Sequence, residues 1–79
     1  MSLKFILSGD IVKARAEHGW TQAHVADLLS ISVRGYQKIE SGEVVPHTIT
    51  FIKLVELFGL DVHRYAKELG FTPSETSDQ

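Results

Sequence analysis

Four residues within six positions, Val33, Arg34, Gln37 and Lys38, are of the types that meet the bases and phosphates of nucleic acid. A guanidinium such as that of Arg34 offers two parallel N–H donors to O6 and N7 of a guanine. Val33 can touch a thymine methyl, and the flexible point charge of Lys38 suits a phosphate or a base. At 3.6 residues per turn these four fall on the side of a helix opposite Tyr36 and Ile39. A short helix held by an apolar back, with a basic and polar front, has the form of an element that reads the major groove. Other chemistries lack their residues. His18, His24, His47 and His63 form no HxxxH pair or tight cluster, so no metal site is expected. The chain has no Cys and none of the GxSxG, HExxH, GxGxxG or P-loop spacings. Asp10 and Glu17 stand seven apart on one helix and read as solvated carboxylates. Neither an enzyme nor a cofactor is expected.

The elements that must position the four front residues can be read on either side of them. Ser32 can cap their helix and Gly42 can end it in a left-handed conformation. Before it, Thr21 can cap a helix whose Val25, Ala26 and Leu29 share one face, with Ile31 plugging the turn between the two. Helix 1 is expected from a Ser8 cap to Gly19, with Asp10 in its first turn, Leu7 stapled onto Val12, and Ile11, Ala14, Arg15 and His18 recurring at helical spacing. Trp20 reads as core between helices 1 and 2. After the connector Glu43–Pro46, helix 4 is expected from His47 or Thr48 to just before Gly59. Its apolar arc holds Thr48, Phe51, Ile52, Leu54, Val55 and Phe58, with Ile49 and Leu57 left outside it beside Lys53 and Glu56. Asp61 caps helix 5, which carries Val62, Tyr65, Ala66 and Leu69. Residues 72–79 are polar, contain Pro73 and read as a disordered tail behind a single domain, 1–71.

Seventy-nine residues bound the chain to one small domain with a marginal core. The absence of Cys fits a cytoplasmic protein, and no apolar run approaches the roughly 18 residues of a membrane helix. The net charge of −2 argues against a general polyanion binder. It is unevenly placed: residues 1–40 hold five Lys or Arg against four Asp or Glu, and residues 41–79 hold three against six. The acidic half is not the half expected to meet DNA.

From Ile11 to about Tyr65 the chain resembles the Cro and lambda-repressor type helix-turn-helix family, also called the xenobiotic-response-element family. The matching residues are Arg15, Gly19-Trp20-Thr21-Gln22, Val25-Ala26 with Leu29, Ile31-Ser32, Gln37-Lys38-Ile39-Glu40-Ser41-Gly42, Pro46 and Leu57-Phe58-Gly59-Leu60. The resemblance implies an all-α, five-helix fold with the DNA-binding unit at helices 2 and 3. It implies phosphate contacts at Gln22 and Ser41, to which the helix-capping Thr21 and Ser32 are added here, and base contacts at Val33, Arg34, Gln37 and Lys38. It further implies that Arg15 and Glu40 form a structural ion pair tying helix 1 to the end of helix 3. Three departures stand out. The connector, often basic in relatives, is Glu43-Val44-Val45. Gly35 lies inside the recognition helix, at a cost of roughly 0.5–1 kcal/mol relative to Ala. His24 replaces an often acidic residue, so no carboxylate completes a capping box.

The expected function is therefore sequence-specific binding of double-stranded DNA by a transcriptional regulator of repressor type, cytoplasmic and nucleoid-associated when bound. The alternative is an antitoxin-like module whose main partner is another regulatory protein. Apolar surplus at Ile49, Leu57, Leu69 and Phe71 predicts a homodimer through the C-terminal half.

Overall fold

The computed structural model describes residues 2–71, so the expectation for a tail at 72–79 lies outside the described residues. Five helices follow one another: α1 Leu3–His18, α2 Gln22–Leu29, α3 Val33–Glu40, α4 Thr48–Phe58 and α5 Val62–Glu68. No strand occurs among the described residues. The core is built from Leu7 and Ile11 of α1, Val25, Ala26 and Leu29 of α2, Tyr36 and Ile39 of α3, Leu54 of α4 and Tyr65 of α5. The front helix α3 rests on both α2 and α1, which together set its direction.

The helix-turn-helix is capped as its residues require. The Thr21 hydroxyl accepts from the His24 amide at 3.0 Å, and that of Ser32 accepts from the Gly35 amide at 2.9 Å. Gly19 closes α1 at φ +69°, and Gly42 follows α3 at φ +80°. A Cβ at Gly42 would stand 3.1 Å from the Phe5 ring, so both conformation and space call for glycine there. The turn between α2 and α3 holds a feature the residue pattern did not announce. Ser30 is left-handed at φ 60° without being glycine, and it lets the Ile31 amide return to the Ala26 carbonyl at 3.0 Å. Ile31 then packs, half-buried, against the core.

Helix 1 corrects the sequence reading. It starts at Leu3, not after Ser8, because Leu3, Ile6, Leu7 and Ile11 continue one apolar stripe at helical spacing. Ser8 is therefore mid-helix, and its hydroxyl donates to the Glu40 carbonyl instead of capping. Leu7 is in the core while Val12 is exposed, so no staple joins them. Helix 4 is rotated from the wheel's estimate. Ile52, placed in the core arc, is 60% exposed, whereas Leu57, placed outside it, packs half-buried against the core. Val62 of α5, read as apolar face, is exposed, and the element is held through Tyr65 and Ala66. Its junction with α1 is partly polar. Arg64 Nη1 and Tyr65 Oη donate to Asp10 Oδ2 at 2.8 and 2.6 Å.

Candidate nucleic-acid interface

The apolar back of α3 is fixed first. Tyr36 is wholly buried and Ile39 nearly so, which leaves Val33, Arg34, Gln37 and Lys38 exposed on the opposite side. These four line one shallow concavity together with Ser41 and Glu43. All four base-contact candidates thus share one face. Arg34 and Lys38 form no ion pair among the described residues, so both cations are available to a ligand. Glu43, noted in the sequence only as part of a connector that is often basic in relatives, lines the same concavity. It is delivered there by the turn after α3, where its amide donates to the Lys38 carbonyl at 2.9 Å.

Behind this face stands a buried polar cluster centred on Glu40, which is 7% exposed. Arg15 grips its carboxylate with two parallel bonds, Nε to Oε2 at 2.7 Å and Nη2 to Oε1 at 2.9 Å, and its third nitrogen donates to the Trp20 carbonyl at 2.9 Å. Gln22 Nε2 donates to Oε1 at 2.8 Å, and the Tyr36 hydroxyl donates to Oε2. The expected ion pair is therefore the middle of a larger network joining α1, α2 and α3. Burial alone would raise the Glu40 pKa, but the bonds from Arg15, Tyr36 and Gln22 outweigh it and hold the carboxyl below its ordinary range. Burial, reinforced by the bond to Glu40, pushes the Tyr36 phenol well above its ordinary value. Among the described residues no buried side-chain polar atom lacks a partner.

The phosphate candidates are placed unevenly. The Thr21 and Ser32 hydroxyls stand at the starts of α2 and α3, where each accepts its cap bond and keeps its own proton to donate. Ser41 lies in the concavity and donates to the Lys38 carbonyl at 3.1 Å. Gln22 is not a free end: besides holding Glu40, its Oε1 accepts from Gln37 Nε2 at 3.1 Å. Sequence reasoning missed the roles of Ser8, Tyr36 and Gln22 around Glu40. The four-residue separation of Tyr36 and Glu40 was a visible signal for one of them.

Of the dimer candidates, Ile49, Leu69 and Phe71 are exposed at 69, 66 and 61%. Leu57 instead lines a surface groove with Leu28, Leu29, Ile52, Lys53 and Glu56. His18 packs tilted against Trp20 at 4.2 Å between ring centres, and His24 meets the same ring edge-on at 5.2 Å. No group of three or more metal-ligating side chains occurs among the described residues. No helix there is long and apolar enough to cross a membrane.

A capped two-helix unit, buttressed by three further helices and presenting an exposed basic and polar face, defines a small all-α DNA-binding domain of the lambda-repressor-like kind. The helix-turn-helix family model matches residues 11–65, more than half of the chain. The chain belongs to that family, the Cro/C1-type or xenobiotic-response-element helix-turn-helix proteins. Searches of curated proteins and of solved structures gave no significant match.

Proposed function

We propose that this protein is a sequence-specific transcriptional regulator that places α3 in the major groove of double-stranded DNA. The observation that carries this reading is the division of α3 into two sides. Tyr36 and Ile39 lock its back, while Val33, Arg34, Gln37 and Lys38 converge on one open concavity. Arg34 lies in the first turn after the Ser32 cap, the part of a recognition helix that reaches base edges. Lys38 and Ser41, further along, serve the phosphate backbone, as do Thr21 and Ser32 with the amides of their helix starts. Glu43 in the same concavity opposes indiscriminate phosphate binding, so affinity depends on fit to sequence.

The protein acts as a homodimer. Ile49 and Ile52 are the most open apolar side chains on α4, and the exposed edge of the groove at Leu57 continues their patch. Lys53 and Glu56 flank it, and a two-fold axis there can set each Lys opposite the partner's Glu. Leu69 and Phe71 extend the apolar surface at the end of the described chain. Selection from a random duplex library tests the function. Enrichment of a two-fold symmetric sequence with half-sites about 34 Å apart supports it. Recovery of no preferred sequence would contradict it.

A further inference from the structure

A chain of three polar side chains runs from the buried interior to the open face of α3, and its direction is fixed. Glu40 is ionised and only accepts, so the Gln22 amide must turn its nitrogen inward, where Nε2 stands 2.8 Å from Glu40 Oε1. Gln22 Oε1 therefore points the other way, toward α3, and it accepts from Gln37 Nε2 at 3.1 Å. That bond in turn sets the Gln37 amide: its nitrogen faces Gln22 and its oxygen faces away. One N–H of Gln37 is used, while Oε1 and the second N–H remain free on an exposed side chain in the concavity.

We propose that Gln22 is a positioning residue that presets Gln37 as a reader of adenine, with Glu40 as the fixed end of the relay. An adenine offers its N6 amino group and N7 acceptor side by side in the major groove. The free Oε1 of Gln37 accepts from N6, and the free N–H donates to N7. Without Gln22 the Gln37 amide can turn over and lose both bonds. The relay gives Gln22 a use different from a phosphate contact, and it spares DNA binding the ordering of one long side chain. Against burial, which alone would raise it, the bonds from Arg15, Tyr36 and Gln22 hold the Glu40 carboxyl below its ordinary range and keep the inner end of the relay ionised at neutral pH. The inference rests on the major-groove reading of α3 proposed above.

The test uses the full chain and duplexes taken from the library selection. Gln37→Ala first identifies the base pair whose preference depends on Gln37. It must be adenine; guanine or thymine at that position overturns the inference while leaving sequence-specific binding intact. Gln22→Met, which keeps the side chain's length but removes its amide, is then measured against all four bases at that position. The expected result is loss of about tenfold in affinity for adenine, with little change for the other three bases, an effect within that of one bidentate base contact. The same substitution in the Gln37→Ala background should change nothing further, because both remove one device. Equal weakening of every sequence, additive with Gln37→Ala, makes Gln22 a phosphate contact only and overturns the inference. Should Gln22→Met fail to fold by circular dichroism, Gln22→Ala decides. It opens Glu40 to water and removes the Gln22 amide while leaving the base-facing atoms of Gln37 intact, so adenine preference at that position must fall, and its survival overturns the inference. Selection that enriches no sequence overturns the DNA-reading itself, and the inference with it.

Discussion

Glu40 ties α1, α2 and α3 together behind the exposed side of α3. One buried carboxylate accepts bonds from Arg15, Gln22 and Tyr36, and these side chains come from three different helices. Removing Arg15 leaves that charge buried with only neutral donors, so Arg15→Ala is expected to cost about 3 kcal/mol, far more than an exposed pair would. An unchanged melting temperature would show that the cluster does not hold α1 to α3. The pH dependence follows in sign. Glu40 and Asp10 both have folded pKa values below their ordinary 4.5 and 3.8. For Asp10, burial would raise the value, but bonds from Arg64 and Tyr65 prevail. Groups depressed by folding stabilise the native state above their unfolded values and lose that contribution as pH falls through the folded ones. The melting temperature is therefore expected to be flat from pH 7 to about 5 and to fall below about 4.5. Glu40→Gln should flatten that acid limb as well as lower the curve. The pairing of Arg15 with Glu40 was legible only through family resemblance, since no local pattern joins residues 25 apart. The part played by Gln22 was not legible at all, because it depends on the angle between α2 and α3.

Among the elements, caps and turns were read more reliably than rotations. Thr21, Ser32 and Asp61 announce helix starts by their side-chain oxygens, and each accepts the expected amide. The face of α3 was equally plain, because Tyr36 and Ile39 stand among polar residues. Helix 4 carries apolar groups over a broad arc, so its wheel set Ile52 inside and Leu57 outside, and contacts with α2 and α1 reversed the two. The start of α1 was misplaced because Ser8 looks like a cap, although the apolar stripe extends past it to Leu3. Ser30 was missed because a left-handed serine leaves no trace in periodicity. It supplies a prediction of its own. Its φ of 60° is strained for a side chain with a Cβ, so Ser30→Gly is expected to stabilise the protein by about 1 kcal/mol. A denaturant midpoint that moves downward instead would mean that the Ser30 side chain contributes more than its backbone costs.

The proposed function calls for two reading helices at a spacing set by DNA, and one chain offers a single such helix, α3. In the proposed dimer the exposed Ile49 and Ile52 of α4 meet the second copy. Sedimentation should show a dimer at tens of micromolar, or on adding the selected duplex, and Ile52→Asp should return it to monomer. A species that remains monomeric in both conditions would contradict that assembly. Net charge of −2 further implies that affinity comes from a small number of placed contacts, so single substitutions on α3 should be individually visible. The most direct test is equilibrium binding of Arg34→Ala and Lys38→Ala to the selected duplex and its single-base variants across a range of salt. Arg34→Ala should cost about 1–3 kcal/mol on the selected site and relax preference at one base pair per half-site. Lys38→Ala should weaken every duplex alike and reduce the salt slope by roughly one. Equal loss for every sequence with Arg34→Ala would contradict the claim that the front of α3 reads DNA through Arg34.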